Sequence, residues 1–261
     1  MTIIVRCPAP PLAGLVYQAG EQPQASVQKI MPDAEPSLWV NLNRDEFRSL
    51  AGPRPGRVPG AMLAGPRSRA LVTEFEAGRA HIWVSFALGA APAFFPAPLA
   101  AAADELVPLA DLWGRCGGSL RDRLLTAADP QHMLQVMEQV LLDHLAGPAS
   151  ADPAVCAAAR ALSSGQAVGQ VADGLGLLPR TLRRRFTAGT GLTPKRFARV
   201  QRLRRVTRAL DGQTRADWAA VAAGHGYSDQ SHLIDEFQDL ASITPAEYLR
   251  SRLDGPNHLR V

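Results

Sequence analysis

Eleven arginine and lysine side chains fall between Asp173 and Asp211, and no acidic residue interrupts them. A run of one sign sets up a field that attracts a polyanion such as nucleic acid, whereas an ordinary solvated surface mixes the signs. Within it, Leu182 and Phe186 stand at i and i+4 and take the inward side of the segment from Pro179 to Phe186, so Arg180, Arg183 and Arg184 project outward. Arginine can donate two hydrogen bonds to guanine O6 and N7. Lys195, Arg196 and Arg199 follow near the start of the next segment and suit phosphate oxygens, which position a protein rather than specify a sequence. The competing reading of these cations is a solvated basic face.

The other reactive residue types do not assemble into a catalytic pattern. The histidines are His81, His132, His144, His225, His232 and His258, with no His-x-His or His-Glu-x-x-His spacing. Cys7, Cys116 and Cys156 are odd in number and far apart, which excludes a disulfide framework and a paired-cysteine zinc spacing and fits a reducing cytoplasm. Trp113-Gly114-Arg115-Cys116-Gly117-Gly118 sets a thiol beside an arginine and glycines, but lacks the Lys-Ser/Thr of a phosphate loop and a base partner, so it reads as a turn. No catalytic residue, metal or cofactor is assigned. A metal- or thiol-dependent enzyme domain fused to a DNA-binding module is the alternative reading of the chain.

The elements that must hold the basic run divide into two kinds. With 261 residues, the chain has room for one large or two ordinary domains, at roughly 100 to 200 residues each. Of the 28 basic residues, 12 lie in 1–149 and 16 in 150–261; the 24 acidic ones divide 14 and 10, giving about −2 and +6. Sixteen of 21 prolines precede residue 150. Leu38, Val40 and Leu42, then Ile82, Val84, Phe86 and Leu88, alternate with their neighbours, which predicts strands with one buried face. Leu71–Glu76 and Ala80–Leu88, linked by Ala77-Gly78-Arg79, suggest a hairpin. The expectation is α+β: a small antiparallel barrel or sandwich with a terminal helix over 130–145, capped by Asp129 and stopped at Gly147-Pro148, then an all-α half. The helix's apolar stripe could pack on the sheet or form a dimer seam. The boundary falls near 150, giving 1–148 and 149–261. Residues 80–103 are uncharged, yet Pro92, Pro96 and Pro98 break any membrane-spanning helix there, and Cys7-Pro8-Ala9-Pro10-Pro11 interrupts any secretion signal.

The second half repeats itself. Val171-Ala172-Asp173-Gly174-Leu175-Gly176-Leu177 matches Val221-Ala222-Ala223-Gly224-His225-Gly226-Tyr227, and Phe186 with Thr193-Pro194 matches Phe237 with Thr244-Pro245. Each copy reads as helix, glycine-bearing turn and helix, over about 166–192 and 214–243. Thr214 with Asp217, Ser228, and Thr244-Pro245-Ala246-Glu247 supply N-terminal caps. A helix over Pro194–Leu210, buried along Phe197, Val200, Leu203 and Leu210, joins the copies and would let one chain read adjacent half-sites.

From about residue 153 to 252 the chain resembles the DNA-binding domain of AraC/XylS-type transcription regulators. The resemblance rests on residues 176–186 with Gly191-Leu192-Thr193-Pro194, then on residues 222–233 with Phe237 and Thr244-Pro245. It implies that Arg180, Arg183, Arg184, Gln230 and Ser231 face DNA. It also implies double-stranded DNA as partner, with RNA polymerase, a small-molecule effector and a second copy of the chain as further candidate partners. The second copy departs from the pattern: Ile234, Asp235, Glu236 and Asp239 stand at expected outward positions where basic residues are common. The first half is similar, around Met31-Pro32-Asp33 and Gly65-Pro66-Arg67, to a sensor or dimerisation domain of such regulators. A pocket there would draw on Trp39, Trp83, Phe86, Phe94 and Phe95, which equally suit plain core.

Overall fold

The computed structural model describes residues 3–260 apart from 7, 9, 13, 14, 23, 24, 53, 54, 147–151 and 254–257. Cys7, the Gly147-Pro148 helix stop and most of the expected linker lie outside the described residues.

Two antiparallel sheets face one another. One has the order β1 (Ile3–Arg6), β2 (Leu15–Gln22), β9 (Gly78–Phe86), β4 (Ser37–Asn41), β7 (Ala61–Ala64), β10 (Leu106–Pro108). The other has the order β11 (His258–Arg260), β3 (Ser26–Ile30), β8 (Leu71–Phe75), β5 (Glu46–Ala51), β6 (Gly56–Pro59). They remain separate sheets, so the expected barrel-or-sandwich resolves as a sandwich. Ile30, Trp39, Phe47, Met62, Leu71 and Phe75 fill the layer between them.

The alternating runs are strands, but with two differences. Every residue of β4 is buried, not one face only: Leu38 and Val40 pack toward helices, while Trp39 packs toward the second sheet. The expected hairpin is absent, because β8 pairs with β3 and β5 whereas β9 pairs with β2 and β4. Alternation states which residues share a face and says nothing of the partner strand. Because β9 carries apolar or aromatic residues on both faces, it needs a cover on each side and becomes a central strand of the other sheet.

Three helices cover the outer face of the six-stranded sheet: α1 (Leu109–Trp113), α2 (Arg115–Leu125) and α3 (Pro130–Asp143). The expected turn at Trp113–Gly118 is confined to Gly114, at φ +58; Cys116, Gly117 and Gly118 belong to α2, where a side chain at Gly117 would collide with the Leu109 carbonyl. Asp129 caps α3 by accepting the His132 N–H at 2.8 Å. Leu134, Met137, Val140 and Leu141 are buried beneath it, so sheet packing uses its apolar stripe. The aromatics considered for one pocket are divided by the sheet: Trp39 and Trp83 on one side, Phe86, Phe94 and Phe95 on the other. No helix among the described residues is long and apolar enough to cross a membrane.

The remaining chain folds as α4 (Pro153–Ser163), α5 (Val168–Gly174), α6 (Pro179–Thr190), α7 (Pro194–Ala209), α8 (Trp218–Gly224), α9 (Gln230–Ala241) and α10 (Pro245–Ser251). Gly176 and Gly226, at φ +62 and +78, make the two turns; the glycines two positions earlier are helical. The caps of α8 and α9 are Asp217 and Asp229 rather than Thr214 and Ser228, since a carboxylate reaches the free amides of the first turn. Thr244 and Glu247 form the expected capping box.

The halves share their cores. Met31 and Leu259 are buried with Leu203, Phe237 and Tyr248, and Ala34 with Val155, Phe186 and Val200. β11, which follows α10 in the chain, pairs with β3.

Candidate nucleic-acid interface

The second helix of the first helix-turn-helix unit is α6. Leu182 and Phe186 are buried, the Phe186 ring lying edge-on to Phe197 at 5.1 Å, and this fixes the helix's rotation about its axis. Arg180, Arg183 and Arg184 therefore emerge exposed, and none has a hydrogen bond or ion pair among the described residues. The fourth arginine of the helix behaves differently: Arg185 grips the Asp152 carboxylate through Nε at 2.8 Å and Nη2 at 2.7 Å. Leu178, missed in the sequence reading, stands 75% exposed at the N-cap of α6. The signal was available, since an apolar residue occupies a position that usually takes Ser, Thr, Asp or Asn.

The linker helix α7 carries most of the remaining cations, yet it spends them on the protein. Lys195 is exposed and without an ion pair among the described residues. Arg196 approaches Asp104 of the sheet domain at 3.6 Å. Arg199 binds Glu236 at 3.0 Å and Asp239 at 2.6 Å; Arg202 binds both Glu236 oxygens and lies 4.4 Å over the Tyr227 ring. Arg204 binds Asp33 and Arg205 binds the Ser163 carbonyl.

The corresponding helix of the second unit, α9, exposes Gln230, Ser231, Asp235 and Gln238. Glu236 corrects the sequence reading: it is 3% exposed and faces α7 rather than solvent. Burial pushes its carboxyl up, but hydrogen bonds from Arg202, Arg199 and the Tyr227 hydroxyl outweigh this and hold it below the usual range. Spacing alone could not show this, because the two arginines lie more than thirty positions earlier and on another helix. The same interactions occupy Arg199, which the sequence assigned to phosphate. An open groove of about 900 Å³ runs beside α7 between the two units, lined among others by Lys195, Arg199, His225, His232 and Asp235.

The sheet domain grips both units. Lys29 Nζ donates to the Ala241 and Ser242 carbonyls at 3.1 Å, capping the C-terminus of α9, and the Ala70 amide donates to the Leu240 carbonyl at 2.8 Å. At the other unit, Gly191 ends α6 at φ +79 against Pro66 and Leu99. The segments Met31-Pro32-Asp33 and Gly65-Pro66-Arg67 thus lie at this seam, joined by the Arg67 amide donating to the Asp33 carbonyl at 2.6 Å.

Residues 156–251 match the family model described as a helix-turn-helix domain. No curated protein matches the chain. Among solved structures, ToxT from Vibrio cholerae is 9% identical, with a TM-score of 0.49 over 91% of this chain and 98% of that one. The AraC-like transcriptional activator CuxR is 14% identical, with a TM-score of 0.23 over 76% of this chain and 74% of that one. The matched residues contain both helix-turn-helix units and the helix between them, with the first unit's arginines turned outward. Residues 156–251 are accordingly a helix-turn-helix domain, similar to those of AraC/XylS-type regulators.

Proposed function

We propose that the protein regulates transcription by sequence-specific binding of double-stranded DNA, with α6 in the major groove and the sheet domain acting as sensor. The observation that carries the reading is the sorting of the arginines. On α6, Arg180, Arg183 and Arg184 are exposed and uncommitted, while the arginines of α7 mostly hold the fold together. Uncommitted arginines at the N-terminal part of a recognition helix are placed to meet guanine edges, with Lys195 and Arg196 flanking them toward the phosphates. α9 presents Gln230 and Ser231 as polar contacts, but Asp235 repels phosphate unless it accepts from a cytosine amino group. The two units are therefore unequal, the first supplying most of the affinity. The boundary near residue 150 remains the division into sensor and reader, with β11 returning to the sensor sheet.

Selection of bound duplexes from a random pool tests this, followed by separate footprints of the two half-sites. A strongly protected, guanine-containing half-site beside a weakly protected one is expected. Equal protection and equal mutational sensitivity overturn the asymmetry, and failure to enrich any duplex overturns DNA recognition itself.

A further inference from the structure

Arg67 is a buried cation without a counter-charge. The residue is 4% exposed, and among the described residues its Nε and Nη1 have no hydrogen-bond acceptor and no ion pair reaches it. Its guanidinium lies over the Trp39 ring, with Cζ 5.3 Å from the ring centroid. The two carboxylates whose charge it feels are already engaged. Asp33 Oδ1 accepts from Arg204 at 2.7 Å and from the Glu35 amide at 3.0 Å. Asp104 accepts from the Ser68 amide at 2.6 Å and hydroxyl at 2.7 Å, and faces Arg196 at 3.6 Å.

The surroundings are otherwise neutral and aromatic. Trp39 meets Phe47 at 6.0 Å, Phe47 meets His81 at 5.8 Å, His81 meets Phe75 at 5.3 Å, and Phe75 meets His258 at 6.3 Å. His258 turns Nδ1 to Gln28 Oε1 at 2.9 Å. Burial first, and then the nearby Arg67 charge, lower its pKa to about 4, so it stays neutral beside the guanidinium. His81 Nδ1 and Ser49 Oγ are also buried, with no hydrogen-bond partner among the described residues.

An unpaired buried charge is costly, and a cation–π contact returns only part of that cost. Lysine or a carboxylate could escape by changing protonation; arginine does not. A stable fold that keeps such a group has a use for it.

We propose that Arg67 anchors a ligand site between the two sheets that takes a small monocarboxylate with an apolar body. The carboxylate receives the Nε and Nη1 hydrogens, and the body lies against Trp39, Phe47 and Phe75, whose rings must part to admit it. One uncompensated positive charge calls for one negative charge, and a dianion such as phosphate would also face Asp33 and Asp104. The proposal rests on the sensor reading given above and names the ligand class. Its route to the DNA reader is short, because the Arg67 amide holds Asp33, Asp33 holds Arg204 of α7, and Pro66 lies on the C-cap of α6.

The test uses the full chain, with thermal unfolding followed at constant ionic strength in phenylacetate, hexanoate, the matching amides and inorganic phosphate. The carboxylates are expected to raise the midpoint, and the amides and phosphate to leave it unchanged. Arg67→Met should fold, be at least as stable as the wild type without ligand, and lose the response. Arg67→Lys replaces the guanidinium with an amine that can shed its proton, and should need about tenfold more carboxylate for the same shift. The site is overturned if amides or phosphate act as well as carboxylates, if Arg67→Lys responds like the wild type, or if Arg67→Met is destabilised and the wild type shows no carboxylate response. Duplex binding, measured in parallel, separates the two readings. A wild-type chain that binds DNA but ignores carboxylates overturns this site alone; one that takes carboxylates and binds no duplex overturns the DNA-binding reading alone.

Discussion

Arg204 Nη1 on the helix that joins the two recognition units lies 2.7 Å from Asp33 Oδ1 in the sheet domain, with only 13% and 19% of the two side chains exposed. The pair ties the sheet domain to the helix that sets the spacing of the two helix-turn-helix units. Arg204→Ala leaves the largely buried Asp33 carboxylate without its ion-pair partner, next to Glu35, whose carboxyl is pushed up by burial and by Asp33 itself. A loss of about 3 kcal/mol is expected in urea unfolding. The double variant Arg204→Met with Asp33→Leu should recover most of it; an uncoupled, additive loss would refute the pairing.

Gly191 offers a second test of the seam. A methyl group there would lie 2.7 Å from Pro66 Cγ and 2.9 Å from the Leu99 carbonyl oxygen, on a backbone at φ +79. Gly176 has a similar φ of +62 and nothing within 4 Å. Gly176→Ala should therefore cost only the left-handed backbone term, about 1 to 2 kcal/mol. Gly191→Ala should cost more, and should also increase proteolytic access between the halves. Equal costs in thermal unfolding would mean that the contact yields freely.

Arginines with similar sequence surroundings should separate by role. Arg183→Ala is expected to weaken binding of the selected duplex by about 1 to 3 kcal/mol and to relax preference at one base. Arg199→Ala should act differently, because Glu236 and Asp239 hold that side chain. It should lower unfolding stability while leaving the salt slope of DNA binding nearly unchanged. A drop in that slope of about one unit would instead restore Arg199 as a phosphate contact.

Acid should loosen the sandwich before it protonates most carboxylates. Burial lowers both His81 and His258 from 6.5 to about 4. Below pH 6.5 the unfolded chain binds protons that the folded chain refuses until about pH 4, so stability is full above 6.5 and falls through that window. Each histidine should remove about 2 kcal/mol by pH 5. Urea midpoints at pH 7 and pH 5 measure the sum, and His81→Phe should roughly halve the difference. An unchanged midpoint would show that the imidazoles become charged without cost.

Much of the reader was legible because its determinants are local. The Val-Ala-x-Gly-x-Gly repeat located both turns, and Leu182 with Phe186 fixed the outward side that Arg180, Arg183 and Arg184 share. What escaped depends on contacts distant in sequence. Glu236 belongs to an outward-looking position until Arg199 and Arg202 approach it. The run before Gly78 and the run after it look like hairpin partners, yet they enter different sheets. Asp33 and Arg67 carry nothing in their spacing that forecasts a seam, and a docking surface made of single residues from several loops has no period to detect.

β11 adds a constraint on order in time. The strand His258–Arg260 closes the open edge of β3 and buries Leu259 with the second unit, so neither task can be finished until residue 260 has left the ribosome. During synthesis, and in any product cut short before residue 258, the backbone donors and acceptors along one side of Ser26–Ile30 stay available to a neighbouring chain. The nascent protein therefore passes through a period in which its sheet domain can template aggregation, and the arrival of residues 258–260 ends that exposure.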